Sequence, residues 1–175
     1  MRILFSLFTI LLFLGTAAAD DTTYRTLQWQ ALMPEGEWER VQEEMRLFFE
    51  NQNGAAIAEG SSLDEARQFG SYRVVEALND QKVRLPGFIV PLEYTADRMV
   101  SEFLLVPYFG ACLHSPPPPP NQIVFVDAAE PIVLESLWKP IWTQGTLVTE
   151  KKLNGLGDAA YTLRLEGWEL YEPDR

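Results

Sequence analysis

The sequence predicts an α+β fold dominated by β-structure: a small antiparallel barrel, oligonucleotide/oligosaccharide-binding-like, preceded by one or two N-terminal helices. Three observations carry this reading. From Tyr72 onward, five or six stretches rich in β-branched and aromatic residues recur within about 100 residues, separated by turn residues. Before them, residues 37–51 repeat apolar side chains at helical period. Within one of the strand-like stretches, Pro86-Gly87 marks a bend of the kind that curls a sheet towards closure. A flatter β-sandwich is the alternative architecture.

Residues 1–19 read as a secretory signal peptide. Arg2 is a minimal positive start, residues 3–14 are a short apolar run, and Ala17-x-Ala19 offers small residues for cleavage after Ala19. The run is shorter than the roughly 20 apolar residues that span a bilayer, so no stable membrane span is expected after cleavage. Cleavage leaves about 155 residues, enough for one domain with a real core. The expected location is the periplasm. Residues 20–71 form an N-terminal extension with helices packed on the domain, and residues 72–175 form the barrel.

In the extension, residues 20–36 are an extended lead-in whose Leu27, Trp29, Leu32 and Met33 are available to pack on the domain. Trp38, Val41, Met45, Phe48 and Phe49 make the apolar stripe of the clearest helix, residues 37–51. Ser62-Leu63-Asp64-Glu65 matches a capping box, which predicts a second short helix. Residues 73–78 and 82–92 flank the turn-like Asn79-Asp80-Gln81 and read as a hairpin. Further strands fall at residues 102–108, 122–127, 141–150 and 160–171. In the last, Gly167 shifts the alternation of Tyr161, Leu163, Leu165 and Trp168.

A formal net charge of −11 makes a surface that repels phosphate backbones, so nucleic acid is not an expected partner. The chain has 47% apolar and 12% aromatic residues, too many for a disordered segment. Phosphate-binding glycine loops, His-Glu metalloprotease helices and serine-nucleophile elbows are absent from the sequence. Glu43-Glu44 reads as part of a solvated helix face. Trp138, Trp142 and Trp168, with Tyr161 and Tyr171, read as plugs of the barrel or its mouth; an aromatic platform for sugar or peptide is the functional alternative.

Chemistry concentrates in one stretch, Phe109-Gly110-Ala111-Cys112-Leu113-His114-Ser115, followed by five prolines and Asn121-Gln122. It holds the chain's one cysteine and one histidine, two residues apart. In an extended chain such residues share a face, so one ion could join thiolate and imidazole. Soft sulfur with imidazole suits zinc or copper(I) better than calcium or magnesium. Further ligands would have to be carboxylates such as Glu93, Asp97 or Asp127, backbone groups or a second subunit. Burial as a small core residue is the commonest fate of a lone cysteine.

The prolines fix φ near −65° and remove consecutive N–H donors, which predicts a polyproline II rod of about 15 Å. The rod is a brace for His114, an exposed ligand for an aromatic groove, or a stiff connection between strands. A nucleophilic Cys-His pair is the weakest reading, because prolines cannot donate to an oxyanion just after it.

Together, residues 83–93 (Val-Arg-Leu-Pro-Gly-Phe-Ile-Val-Pro-Leu-Glu), residues 102–115 with the proline run, Gln122-Ile123-Val124 and residues 142–147 (Trp-Thr-Gln-Gly-Thr-Leu) resemble an uncharacterised bacterial family of exported proteins, domain of unknown function 3299. The likeness runs from about Tyr72 to Tyr171. The resemblance brings no established activity. It implies an association with transporter components and periplasmic zinc-binding proteins, and through them with zinc homeostasis.

The expectation is therefore a non-catalytic periplasmic accessory protein that binds a transition metal, zinc first, through Cys112 and His114, with partners among envelope transporter components or periplasmic metal-binding proteins. The alternative is a metal-free interaction module that docks through the proline rod and Trp138/Trp142.

Overall fold

The computed structural model of the protein describes residues 23–51, 67–93, 97–111, 117–134 and 136–172. Among the described residues, six strands and one α-helix run in the chain order β1 (Arg25–Thr26), α1 (Glu37–Asn51), β2 (Gln81–Pro91), β3 (Met99–Val106), β4 (Val124–Val133), β5 (Ile141–Val148) and β6 (Tyr161–Leu170). The order β2-β3-β4-β6-β5 closes through a β2–β5 pairing, giving a five-stranded barrel, with the short β1 running parallel to β2 outside the ring. The predicted barrel and its N-terminal helix are present. One seam departs from the expected all-antiparallel pairing, since β4 and β6 run parallel.

Closure depends on β2 having two partners. Residues Gln81 to Gly87 pair with β5, and Phe88 to Pro91 pair with β3. The exchange occurs at Gly87, where a side chain could not be accommodated: a Cβ there would lie 2.7 Å from Leu105 Cγ and 2.8 Å from the Val106 carbonyl oxygen. Opposite, β6 carries a one-residue bulge between its pairings with Gln144 and Gly145. At Gly145 a Cβ would fall 2.1 Å from the Arg164 carbonyl oxygen. The bulge presents Glu166 outward, where Tyr24, Lys82 and Thr146 all donate to it. The Lys82 ammonium beside Glu166 holds its carboxyl below the usual carboxylate range.

Alternation on the strands builds the main core from Val83, Leu85, Phe103, Leu105, Val124, Val126, Leu147 and Leu163. Thr143 also points inward, and its hydroxyl donates to the Leu85 carbonyl at 2.9 Å, so no polar group is stranded there. Leu27, Trp29 and Leu32 of the lead-in join the same core, as their apolar pattern predicted. The Trp29 indole donates to the Pro86 carbonyl at 2.7 Å, fastening the lead-in at the bend of β2.

Tyr161 ties three segments together. It is fully buried; its hydroxyl donates to the Leu32 carbonyl at 2.8 Å and accepts from the Val75 N–H at 2.6 Å. The strand β6 thereby holds the lead-in on one side and the segment preceding β2 on the other. That segment corrects the expected hairpin. Residues 73–78 form no strand but run extended into a 3₁₀ turn at Glu76–Leu78, because their hydrogen-bonding partner is a side chain rather than a neighbouring ladder. The turn at Asn79-Asp80 is real, with Asp80 at φ +57°, and leads from the 3₁₀ turn into β2.

The helix α1 has the predicted bounds. It attaches through two carboxylates: Glu37, fully buried, accepts from the Ser71 hydroxyl at 2.6 Å and from Arg40 at 3.2 Å, and Glu44 accepts from the Gly70 N–H at 3.0 Å. Its apolar stripe is only partly covered, since Val41 is buried while Trp38 and Phe49 remain about half exposed. The second helix expected at Ser62 lies outside the described residues.

Three substitutions test this architecture. Tyr161→Phe leaves the Leu32 carbonyl and Val75 N–H without their buried partner and should cost about 1–3 kcal/mol in urea unfolding. Burial also pushes the Tyr161 hydroxyl up to about 12. The folded state holds that proton more tightly than the unfolded chain, whose tyrosines titrate near 10. The stability it contributes is therefore complete below about pH 10 and fades as pH rises towards 12. The variant should lose that part of the alkaline decline. Gly145→Ala, whose Cβ would meet fixed backbone, should destabilise by about 1–3 kcal/mol or more. Gly155→Ala, with open space around it, should stay within about 0.5 kcal/mol of the parent.

Candidate functional site

The chemistry singled out in the sequence sits in the β3–β4 connection, residues 107–123. Cys112 and His114 themselves, with Leu113, Ser115 and Pro116, lie outside the described residues. The residues on either side are firmly placed. Ala111 is fully buried in a second, smaller core with Leu104, Val106, Ile123, Phe125 and Ala159. This cluster covers the outer surface of β3 and β4, which explains why Phe103 to Val106 are buried on both faces.

Downstream, the prolines are built into the body. Pro117, Pro118 and Pro120 are buried and Pro119 is half-buried. Gln68 spans the gap to the neighbouring loop: its amide donates to the Pro118 carbonyl at 2.8 Å and the Asp158 carbonyl at 2.9 Å, and its oxygen accepts from the Asp158 N–H at 2.9 Å. Gly70 lets the rod approach α1, since a Cβ there would sit 3.0 Å from both Pro119 Cβ and Val41 Cγ2. Asn121 and Gln122 close the rod. The fully buried Asn121 amide donates to the Arg73 carbonyl at 3.3 Å, and the Gln122 amide donates to the Trp29 carbonyl at 3.0 Å. The Ala160 N–H donates to the Pro120 carbonyl at 2.7 Å. The described prolines thus act as a packed brace between α1, the 67–73 segment and β6, and do not form the exposed ligand that was one reading of the run.

Between this wall and α1 lies a groove of about 900 Å³. Trp38, Glu39, Val41 and Met45 line it from the helix, and Phe69 is buried beneath. Pro107, Tyr108 and Pro117 to Pro119 line the opposite side. Residues before and after the Cys-His segment therefore border the same groove. Its lining carries one carboxylate, Glu39, and no basic side chain among the described residues. Sequence reading took Trp38 and Met45 as core and passed over Tyr108. The signal that marked them was an apolar stripe longer than one helix needs to seat itself.

The carboxylates considered as extra metal ligands divide by position. Glu93 and Asp97 lie in the β2–β3 connection, at the end of β3 away from Val106. Asp127 is exposed on β4, opposite Glu102 and three residues past Val124, about 10 Å from the near end. Asp158 is closer to the prolines but already engaged, accepting from the Tyr72 hydroxyl and from the Asn154 N–H at 2.8 Å. The bond to Asp158 pushes the Tyr72 hydroxyl up to about 12. Among the described residues, no three metal-ligating side chains of the Asp, Glu, His and Cys types converge.

Of the aromatic residues expected to plug the barrel, Tyr161 alone lies wholly within it. Trp138 is 71% exposed, its ring 4.5 Å from Phe109, which in turn meets Phe88 at 6.0 Å. Trp142 lies on the outer surface, 4.0 Å from the Arg84 guanidinium and 5.2 Å from the Tyr171 ring. Trp168 is partly exposed at the sheet end.

No curated protein matches this chain. Its fold is similar to the crystal structure of a DUF3299 family protein from Pseudomonas aeruginosa, with a TM-score of 0.66 and 32% identity over 87% of this chain and 99% of the other. The family model described as a protein of unknown function, DUF3299, matches residues 29–169, covering α1, the whole barrel and the Cys-His connection. With the match extending over nearly all the elements just described, the chain belongs to the DUF3299 family.

Proposed function

We propose that this protein is a periplasmic, non-catalytic accessory protein that binds a transition metal, zinc before copper(I), through Cys112 and His114, in the service of metal homeostasis or an envelope transporter. One observation carries the reading. The chain's one cysteine and one histidine lie two residues apart in a short stretch whose flanks, Ala111 and Pro117 to Gln122, are clamped to the barrel. Clamped flanks reduce the chain entropy lost when thiolate and imidazole converge on an ion. The acidic chain, at −11, favours cations near its surface without selecting among them.

A second reading is favoured by Trp138. An indole 71% exposed and tilted against the Phe109 ring is a docking anchor of the kind that dominates interfaces. On that reading the protein is a metal-free interaction module. Its surface would be Trp138 with Phe109 and Phe88.

Metal analysis of protein purified without a polyhistidine tag separates the two. The metal reading expects near-stoichiometric zinc, or zinc binding tighter than about 10 μM, lost on Cys112→Ser and on His114→Ala while the fold persists. Absence of binding in that range, or binding unchanged in both variants, rejects it. The docking reading expects Trp138→Ala to abolish a partner interaction and leave metal content unaltered.

A further inference from the structure

We infer that the groove between α1 and the proline wall is a docking site for an extended, proline-bearing peptide segment that carries a Lys or Arg. This inference is independent of metal binding, since every residue it uses is described and none is Cys112 or His114.

Backbone chemistry selects the conformation of the occupant. A strand added to an edge needs a row of N–H and C=O groups to pair with. The wall formed by Pro117, Pro118 and Pro119 has no N–H to give. Its carbonyls at Pro118 and Pro119 are taken by the Gln68 amide and the Gln122 N–H. An occupant lying against this wall therefore finds no N–H to accept from and few free carbonyls. A polyproline II segment meets that condition, because it has no internal hydrogen bonds, keeps its backbone solvated and loses little entropy on ordering.

The side chains select the same class. Trp38 is 52% exposed and Tyr108 49% exposed, on opposite sides of a groove floored by the buried Phe69. Two half-open aromatic rings lining one groove are a surface on which proline-rich segments stack. At about 900 Å³ the groove is at the upper end of small-ligand pockets, room enough for several peptide side chains. Charge completes the selection. Glu39 makes no ion pair among the described residues, unlike Glu37, Glu43, Glu44 and Glu50 on the same helix. With no basic residue in the described lining and a chain at −11, the complementary occupant is cationic.

The test is titration of the ¹⁵N-labelled protein with a synthetic peptide containing a Pro-x-x-Pro repeat and an arginine. Two analogues accompany it, one with arginine replaced by glutamate and one with the prolines replaced by alanine. Saturable shifts are expected at the Trp38 indole and at the Phe69 and Tyr108 amides. Trp38→Ala should weaken binding by about tenfold. Glu39→Lys should weaken the cationic peptide by about threefold, and the preference for arginine over glutamate should vanish with it. Glu39 faces solvent, so this variant decides the matter even if Trp38→Ala loosens α1. The inference is overturned by the absence of saturable shifts at millimolar peptide, or by shifts confined to Trp138. Equal binding of the alanine analogue, marking a helix groove or a general apolar site, also overturns it. So does equal binding of the acidic peptide.

Discussion

The buried hydroxyl of Tyr161 is the constraint on which the rest of the molecule depends. A phenol at full burial must satisfy both its donor and its acceptor, and each of its partners is a backbone group from a segment outside the barrel ring. Leu32 belongs to the lead-in, and Val75 precedes the 3₁₀ turn before β2. Once these are fixed, Trp29 reaches the Pro86 carbonyl, Gln122 reaches the Trp29 carbonyl, and Asn121 reaches the Arg73 carbonyl. The N-terminal region is thereby joined to the barrel by directional bonds as well as by apolar packing. The groove and the clamped flanks of the Cys-His segment both follow from that attachment.

Barrel closure and site placement share a second cause. At Gly87 the strand β2 leaves β5 and joins β3, and β3 is then buried on both faces. Its outer face is covered by Ala111 and Ile123, at the two ends of the connection that carries Cys112 and His114. The same exchange that closes the ring thus holds this connection against the wall. A bend forced by the absence of one Cβ reaches, through packing, to Ala111 and Ile123 at the ends of that connection.

Much of this was legible in the sequence because the signals were local. Helix α1 announced itself by period, the strands by β-branched and aromatic runs, and the partner exchange by Pro86-Gly87. The β6 bulge was marked by Gly167. What escaped was set by long-range partners. Residues 73–78 carry a strand-like composition, but the Val75 N–H meets the Tyr161 hydroxyl and the Arg73 N–H the Ser71 hydroxyl, so no hairpin forms. The parallel β4–β6 seam depends on the order of strands around the ring, which no local pattern encodes. The prolines read from the sequence as a brace, an exposed ligand or a stiff connection; the described ones are packed, because Gln68, Gly70 and Ala160 meet them. Of the site, the pair Cys112 and His114 was visible as a singularity of composition. The groove beside it was not, because its walls come from α1, the 67–73 segment and the β3–β4 connection.

The most direct measurement of the central claim is X-ray absorption at the zinc edge of protein loaded with one equivalent of the metal. Binding through the pair predicts a first shell containing one sulfur at about 2.3 Å and imidazole nitrogen at about 2.0 Å, with the sulfur lost in Cys112→Ser. A shell of oxygen alone in the parent protein would contradict the account and place any bound zinc on the acidic surface.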